Sequence, residues 1–375
     1  MSKLWRMLPW ILVAILVVIV VLMAIGVFNA QWLPWVLLLA LAARCFLLRR
    51  RGLIGAVDLP VDDRFLSSEK VQWWYWTGHL RTDTGKRFGF EIVFFTFDHF
   101  LFMRDQLVQA AVTDVDGNSF VFKEFVLFHL PDRTKGGFKL SSGPGDKVTA
   151  RSGNGGDHLH SEVGEYVLDL ALSPIKPTAM HYGANAHPYA FHGYTYYYSQ
   201  PRMKTVGTIS IGGETHSVTG VSWFDRQYGE LFQAIAQGWQ WFAIQLDDNR
   251  EIMLFDFNGD CKAVENSGSY SNKLGQTATL AAFQFGVDIL GHWTSPRTGT
   301  VYPSGWKVSV NINAEGEPLI LVVQPLVKDQ ELCGTYRDPF WVGPVYWEGA
   351  CSVSDLNGVV IGQAYVELNG YDKKL

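Results

Sequence analysis

The sequence predicts an all-β protein whose antiparallel strands close into barrels or sandwiches, preceded by a membrane-spanning helical segment. Three observations lead to this prediction. After residue 57, apolar and polar residues alternate in short runs, and no amphipathic helical pattern is sustained. Turn-forming dipeptides separate these runs. The first 55 residues, in contrast, are dominated by long apolar runs.

The N-terminal segment contains two apolar runs, residues 10–28 and 32–48. About 20 apolar residues span a bilayer as a helix, so each run is close to the length that crossing requires. Residues 29–31 form a polar break between them, and the arginines at 49–51 act as a stop-transfer cluster. We therefore predict a membrane anchor over residues 1–55, folded as a hairpin of two helices.

Basic residues flank both outer ends of this hairpin, and such flanks tend to stay in the cytoplasm. The prediction is an integral protein of the cell membrane with its folded part in the cytoplasm. In the alternative, only the first run crosses the membrane, the second lies at the interface, and the folded part is exported. In both cases the membrane is a predicted partner.

The predicted strands form hairpins. Residues 87–97 alternate and are rich in aromatic side chains, while residues 107–113 and 119–128 flank Asp116-Gly117, a dipeptide suited to a type I′ turn. Residues 134–160 are rich in Gly and Ser, which suits turns and only short strands, and they predict a surface excursion of the first barrel. Further turns are expected at Gly212-Gly213, at residues 247–249 and at Asn357-Gly358.

The composition excludes nucleic acid as a partner. Six of the 31 Lys and Arg residues lie in residues 1–55, which contain no Asp or Glu. The rest of the chain carries 36 acidic residues against 25 basic ones, whereas nucleic-acid phosphates require a basic face. Aromatic residues make up 14% of the chain, which suits β structure and apolar pockets.

The cysteines and histidines predict no metal site. Cys261, Cys333 and Cys351 lack any C-x-x-C spacing. A bridge between Cys333 and Cys351 is one alternative, and buried free thiols are the one we expect.

Three histidines, His181, His187 and His192, share a loop-like segment, but no two have a spacing that aims both at one point. There is also no phosphate-binding Gly-rich loop before a helix and no G-x-S-x-G motif. We therefore predict neither a metal nor a cofactor.

Four stretches together resemble one family. Residues 72–80 (QWWYWTGHL) resemble its opening strand, and residues 196–202 (YYYSQPR) resemble the strand before its central motif. Residues 220–229 (GVSWFDRQYG) resemble the central motif, and residues 346–349 (YWEG) resemble its closing strands. In this order, over nearly all of residues 65–375, the chain resembles the carotenoid 1,2-hydratase and AttH-like proteins.

The resemblance implies two lipocalin-like (calycin) antiparallel β-barrels, over residues 56–230 and 231–375. It also implies hydratase- or cyclase-like chemistry without a cofactor, since the family includes carotenoid hydratases, cyclase-like proteins and pericyclase relatives. This chain has Gln72 where the family usually has Glu, and Tyr228 where it usually has Trp. We expect both departures to lie beside the pocket.

Asp225 is the candidate general acid. Hydration of an alkene requires a proton donor, stabilisation of a carbocation, and a positioned water. Burial among aromatic side chains disfavours the carboxylate and would keep Asp225 protonated near neutral pH. Tyr75 or His192 would place the water. Aromatic faces stabilise cations, and the candidate ligand-binding residues are Trp73, Trp74, Trp223, Tyr228, Trp239 and Trp241.

A structural role for the same residues is the alternative. Asp225 would then form an ion pair with Arg226 that closes the first barrel, and the Trp side chains would fill its floor. Because Trp73 and Trp74 are consecutive in a strand, they point to opposite faces, and only one of them can line the cavity.

The leading hypothesis is a membrane-anchored protein that binds an apolar, isoprenoid- or polyene-like molecule at the interface of two barrels, as a hydratase or cyclase. The alternatives are a lipid carrier or chaperone without turnover, and a structural component of a membrane complex.

Overall fold

The computed structural model describes residues 55–98, 104–128, 131–153, 155–258, 265–312, 316–335 and 345–372. These residues form an all-β protein with two barrel-like sheets, as the sequence predicts. Within these ranges no helix is long and apolar enough to cross a membrane. The predicted membrane helices, residues 10–28 and 32–48, lie outside the described residues.

Across the described ranges, the first sheet has twelve strands. They are β1 (Val71–Thr82), β2 (Arg87–Asp98), β3 (Arg104–Asp114), β4 (Ser119–Leu127), β5 (Lys139–Ser141), β6 (Val148–Gly153), β7 (Gly156–Val163), β8 (Tyr166–Pro174), β9 (Ala179–Met180), β10 (His187–Pro188), β11 (Tyr194–Ile211) and β12 (Glu214–Glu230). Their order is β4-β3-β2-β1-β12-β11-β8-β7-β6-β5, and β9 and β10 pair with β11. The first and last strands therefore lie side by side.

The first sheet curls until its edges nearly meet. The side-chain amide of Gln106 in β3 donates a 2.9 Å hydrogen bond to the carbonyl of Ser141 in β5. The interior is filled by the sheet's own apolar side chains, among them Trp74, Trp76, Phe90, Ile92, Phe94 and Leu170. The first barrel is therefore a packed core.

The second sheet has ten strands in the part of the chain that the structure describes. They are β13 (Trp239–Leu246), β14 (Glu251–Phe257), β15 (Ser267–Ser271), β16 (Thr277–Ala281), β17 (Phe285–Ile289), β20 (Trp306–Val310), β21 (Leu319–Pro325), β22 (Glu331–Cys333), β23 (Val345–Ser354) and β24 (Val360–Asn369). Their order is β16-β15-β14-β13-β24-β23-β21-β20-β17, with β22 paired to β23, and together they form about half a barrel. A separate hairpin contains β18 (His292–Thr294) and β19 (Val301–Pro303).

A short helix, α1 (Phe232–Gln237), connects the two sheets. The first sheet ends at Glu230 and the second begins at Trp239. The boundary predicted between residues 230 and 231 falls at the start of this connection.

The strands where the two sheets face each other are buried on both sides. Every residue of β13 is buried, and β1 and β12 are buried over most of the length that faces it. Alternate side chains of a strand point to opposite faces, so one set packs inside its own barrel and the other packs between the barrels. This explains why residues 73–76 and 241–244 are apolar on both faces.

A buried ionic cluster joins the barrels at one end of their interface. The carboxylate of Glu251 in β14 accepts hydrogen bonds from Nζ of Lys176 and Nε of Arg202, both at 2.5 Å. The side chains of Lys176 and Glu251 are only 3% and 1% exposed. Lys176 also donates to the carbonyls of Asn249 and Asn272, so its charge is well compensated.

The Gly- and Ser-rich residues 134–160 do not form the predicted surface excursion. They supply β5, β6 and β7, whose Leu140, Ala150 and Leu159 are buried in the first barrel. The glycines lie largely in the turns between these short strands, where Gly145 has a φ of 90°.

The hairpin between β3 and β4 also differs from the prediction. Its positive φ lies at Asn118 (49°) and not at Asp116-Gly117, so its loop is not a two-residue type I′ turn. Gly212 and Gly213, in contrast, have φ angles of 57° and 94°, as such a turn requires.

Cys333 and Cys351 are free thiols, so the bridge considered from the sequence does not form. Although β22 and β23 are neighbours, Cys333 pairs with Val345 and not with Cys351.

Candidate functional site

The candidate site lies between the two barrels and not inside either of them. Strands β1, β2, β11 and β12 turn alternate side chains toward β13, β14, β23 and β24. The apolar part of this interface is a separate buried cluster, which includes Tyr75, Tyr197, Trp223, Trp239, Trp241 and Phe255.

Asp225 lies in this interface and is 3% exposed. Its Oδ2 accepts a hydrogen bond from the Tyr197 hydroxyl at 2.5 Å. Its Oδ1 accepts one from Nε1 of Trp223 at 2.5 Å and another from the hydroxyl of Ser199. In the part of the chain that the structure describes, Asp225 forms no ion pair with a Lys or Arg.

Burial raises the pKa of Asp225 to about 7, although its three hydrogen bonds oppose the rise. Desolvation disfavours the charged form, whereas donors to the carboxylate favour it. A carboxyl group with this pKa is present in both protonation states near neutral pH, which is the property that proton transfer requires.

Ser199 connects Asp225 to a buried histidine. Nε2 of His181 lies 2.5 Å from Oγ of Ser199, and its Nδ1 lies 2.8 Å from Oγ of Ser269 in the second barrel. Burial lowers the pKa of His181 to about 3, so its ring is neutral. Because a neutral imidazole has one donor and one acceptor nitrogen, the chain Ser269-His181-Ser199-Asp225 can point its protons in either direction.

A second tyrosine–carboxyl pair lies on the other side of Trp241. Nε1 of Trp241 donates to the Tyr197 hydroxyl at 3.0 Å, and its ring meets Tyr75 edge to face with 5.4 Å between centroids. The Tyr75 hydroxyl donates a hydrogen bond to Oε1 of Glu348 in β23. Tyr75 is also the register partner of Asp225. The pairs Tyr197-Asp225 and Tyr75-Glu348 therefore flank one indole ring.

Glu348 has two carboxyl neighbours. Its pKa is raised by burial and, second, by the negative charges of Glu91 in β2 and Glu367 in β24. Burial, with the charge of Glu367 in addition, raises the pKa of Glu91 to about 8, and burial raises that of Glu367 to about 7. The three carboxyl groups therefore do not all ionise near neutral pH. No group of three or more His, Cys, Asp or Glu within the described ranges could hold a metal ion.

The structure brings together six of the predicted site residues and separates three. The six at the interface are Trp73, Tyr75, Trp223, Asp225, Trp239 and Trp241. Trp74 and Tyr228 belong to the core of the first barrel, because they lie on the opposite faces of β1 and β12. His192 is exposed in a turn, with a φ of 75°, and has no contact with Asp225.

Trp74 and Tyr228 pack against a buried arginine instead of a ligand. The Cζ atom of Arg226 lies 4.0 Å from the Trp74 ring centroid and 4.9 Å from that of Tyr228. Nη2 of Arg226 donates to Oε1 of Gln72 at 3.0 Å. Gln72 and Tyr228, the two departures from the family pattern, thus lie inside the first barrel and not beside the site. Asp225 faces away from Arg226 and forms no ion pair with it.

Sequence reasoning did not find the groups that surround Asp225. From the sequence, His181 is considered only as a metal ligand, and Glu91, Glu348, Glu367 and Tyr197 are not singled out as site residues. A signal was present, because a Glu within an apolar strand such as residues 87–97 is rarely buried without a reason.

The family follows from a comparison with known proteins. Residues 54–371 match the profile of the AttH-like family. The chain belongs to the AttH-like family. The AttH-like part of the resemblance drawn from the four sequence stretches is therefore confirmed. No curated protein sequence matches the chain.

Solved structures share the fold of this AttH-like protein. An AttH-family protein from Nitrosomonas europaea is 27% identical, with a TM-score of 0.72, over 84% of this chain and 98% of that one. Kievitone hydratase from Nectria haematococca is 16% identical, with a TM-score of 0.65, over 85% of this chain and 94% of that one. CghA is 11% identical, with a TM-score of 0.52, over 85% and 95% of the two chains. The two latter similarities support the two-barrel, lipocalin-type fold.

Proposed function

We propose that this AttH-like protein binds an apolar, isoprenoid- or polyene-like molecule between its barrels and catalyses a cofactor-independent hydration or cyclisation, with Asp225 as general acid. The observation that carries the proposal is the environment of Asp225. Its carboxyl group is buried among aromatic rings, receives three hydrogen bonds, and has no cationic partner within the described ranges. The presence of a kievitone hydratase among proteins of this fold supports a hydratase activity.

Burial and hydrogen bonding give Asp225 the two properties that an acid catalyst needs. Burial keeps part of the population protonated near neutral pH, since it raises the pKa to about 7. When the proton leaves, the donors from Tyr197, Ser199 and Trp223 stabilise the carboxylate that forms. Their hydrogen bonds are in place before the reaction and need not reorganise.

Two indole rings beside Asp225 are suited to stabilise a carbocation. Trp223 and Trp241 are nearly perpendicular, with 6.4 Å between centroids. Each donates its hydrogen bond in the ring plane, to Asp225 and Tyr197 respectively, so both π faces stay free of these bonds. A cation beside an aromatic face is stabilised by the ring quadrupole.

We extend the proposal to the membrane. Trp73, Phe95 and Phe97 are partly exposed at the margin of the interface, and Trp73 meets Phe95 at 6.0 Å between centroids. The carbonyl of Gly55, at the end of the predicted anchor, accepts a hydrogen bond from the Tyr196 hydroxyl at the same end of the first sheet. An anchor over residues 1–55 would therefore hold this aromatic margin near the bilayer, where an apolar ligand dissolves.

Isotope uptake tests the enzymatic proposal. The purified protein is incubated with lycopene or with kievitone, once in H₂¹⁸O and once in D₂O, and the products are analysed by mass spectrometry. We expect ¹⁸O in a hydration product, or deuterium in a cyclised isomer, with the wild type. Asp225→Asn is expected to abolish both. A wild-type protein that co-purifies with an apolar molecule but incorporates neither isotope would instead be a carrier.

Asp157 offers a matched control for Asp225. It is also a buried carboxyl group, and burial raises its pKa to about 7. It lies in the first barrel, where its Oδ2 accepts a 2.9 Å hydrogen bond from Nε1 of Trp76. Asp157→Asn should retain isotope uptake, and an equal loss in both variants would assign Asp225 to the fold.

A reporter fusion tests the location. We propose that both termini lie in the cytoplasm, because basic residues flank both ends of the predicted hairpin. An enzyme that is active only outside the cytoplasm, fused to the C-terminus, should remain inactive. Activity of that reporter would support the single anchor and an exported folded part.

A further inference from the structure

Glu348 reaches across the interface to the reactive face of the first barrel. It lies in β23 of the second sheet, and its Oε1 accepts a hydrogen bond from the hydroxyl of Tyr75 in β1. Tyr75 is directly opposite Asp225 in the β1–β12 register, and residues in register point to the same face. The Tyr75 hydroxyl is therefore held on the same side of the sheet as the Asp225 carboxyl.

The burial of Glu348 beside other carboxyl groups destabilises the folded state. Glu348 is 2% exposed and Glu91 is 1% exposed, and neither carboxyl group forms a salt bridge with a Lys or Arg of the described residues. Oε2 of Glu91 has no hydrogen-bond partner within the described ranges. Burying such groups without compensation destabilises a protein, and such sites persist where activity depends on them.

We propose that Tyr75 and Glu348 form a second proton-transfer pair, which takes a proton from the attacking water while Asp225 gives one to the alkene. This inference rests on the proposed function. Tyr75 is the catalytic residue of the pair, because its hydroxyl would contact the water. Glu348 is a positioning and proton-accepting residue behind it.

The step balances in atoms and electrons. The alkene π electrons form a C–H bond with the proton of Asp225, which becomes a carboxylate. A lone pair of the water oxygen forms a C–O bond at the resulting cation. The water proton passes to the Tyr75 oxygen as the Tyr75 proton passes to Glu348, so the substrate gains one water. Solvent that enters as the product leaves returns the proton from Glu348 to Asp225.

The surroundings of Asp225 and Glu348 indicate which of them gives a proton and which takes one. The carboxylate of Asp225 is stabilised by three donors, so it forms readily when the proton leaves. Glu348 accepts the hydrogen bond of Tyr75, and its anionic form is opposed by burial and by Glu91 and Glu367. Asp225 is therefore suited to lose a proton, and the Glu348 carboxylate, when it is present, is suited to take one from the Tyr75 hydroxyl that donates to it.

Two isotopes separate the two halves of the reaction. The substrate is whichever of lycopene or kievitone the wild type consumes, and the variants are Glu348→Gln and Tyr75→Phe. We expect ¹⁸O incorporation to fall by about 100-fold or more, the usual range for loss of a general base. Deuterium exchange into the recovered alkene should persist, because protonation by Asp225 and its reversal do not need the second pair.

Each other outcome overturns a stated part of the proposal. Equal loss of both isotopes, or retention of both, removes the second proton-transfer pair while leaving Asp225 as the acid. If the wild type takes up neither isotope, the proposed function fails and this inference fails with it.

Folding provides a readout that does not require a substrate. Glu348→Gln removes a disfavoured anion, so its melting temperature should equal or exceed that of the wild type near pH 8. Tyr75→Phe keeps the ring that packs on Trp241. If both variants unfold, the pair is structural and the inference is overturned.

Discussion

The hydroxyl group of Tyr197 donates a 2.5 Å hydrogen bond to Oδ2 of Asp225 on the neighbouring strand. The same hydroxyl accepts a 3.0 Å hydrogen bond from Nε1 of Trp241 in the second barrel. One oxygen atom thus connects the candidate acid to the opposite sheet. A change at this oxygen should affect both the acidity of Asp225 and the contact between the barrels.

Replacement of Tyr197 by Phe tests this connection. The ring contacts remain, but Asp225 and Trp241 each lose a partner, so we expect a loss of about 1 to 3 kcal/mol of stability. The pKa of Asp225 should rise further, because one of the hydrogen bonds that lower it is removed. Urea unfolding and an NMR titration of ¹³C-labelled Asp carboxyl groups measure the two effects. Tyr182→Phe, whose hydroxyl contacts Ser267 at 2.7 Å, is the control and should leave the pKa of Asp225 unchanged.

The carboxyl groups with raised pKa values predict that stability falls as the pH rises toward 7 to 8. Burial raises the pKa of Asp225 and Glu367 to about 7 and that of Glu91 to about 8. Each group binds more protons in the folded state than in the unfolded state between its ordinary pKa and its raised one. The stabilisation is therefore complete below the ordinary pKa and is lost as the pH rises through the raised value.

Melting temperatures between about pH 7.5 and pH 9 measure this effect, because His181 is then neutral in the folded protein, where burial lowers its pKa to about 3, and largely neutral in the unfolded chain, where an ordinary His has a pKa of about 6.5. We expect a fall in the wild type that levels off above the raised pKa of Glu91, about 8, and a flatter curve for Glu91→Gln. A melting temperature that rises over this window would contradict the assignment of raised pKa values to these groups.

We expect replacement of His181 to lower stability and kcat, and replacement of His192 to change neither. His181→Phe keeps a ring but removes both nitrogens, so Ser199 and Ser269 each lose their hydrogen bond to the imidazole. Stability should fall by about 1 to 3 kcal/mol, and kcat should fall while KM stays nearly constant, because the proton chain to Asp225 is broken. His192→Asn is the matched control, since Asn tolerates a positive φ and His192 is exposed. Equal effects of the two changes would remove the chain from the mechanism.

Glu251→Gln should strongly destabilise the protein. Lys176 and Arg202 would remain at the interface without an anionic partner, and such losses typically cost about 3 to 5 kcal/mol. Asp288→Asn makes the same chemical change in a pair with Lys307 whose side chains are 67% and 43% exposed, and should cost less than about 1 kcal/mol. Chemical denaturation of both variants provides the comparison.

The sequence predicted the strands that have a clear alternation and failed where glycine obscured it. Residues 87–97 alternate, and they form most of β2. Residues 134–160 include the first part of β7 (Gly156–Val163), in which Asp157, Leu159, Ser161 and Val163 are buried in alternation, but the glycines before it favoured turns and only short strands. A glycine-rich sequence is therefore compatible with short strands joined by turns as well as with a loop that contains no strands.

Only those parts of the site whose residues are close together in the sequence could be predicted. Asp225 and Trp223 share one motif, and the aromatic setting of Asp225 follows from its neighbours in the chain. Glu348, however, is 273 residues from Tyr75, and no spacing rule connects positions that meet only when two sheets face each other. The strand faces explain the remaining differences, because Trp74 and Tyr228 fall on the barrel side of the same strands that carry Tyr75 and Asp225.

The ionic cluster of Lys176, Arg202 and Glu251 should oppose separation of the barrels at its end of the interface. Glu251 begins β14 and Phe257 ends it, about 20 Å farther along the strand. Separation at Glu251 would leave the buried side chains of Lys176 and Arg202 without their anionic partner. The margin near Trp73, in contrast, consists of partly exposed aromatic side chains. Motion that admits a ligand should therefore resemble a clamshell, with its hinge at Glu251 and its lips at the aromatic margin.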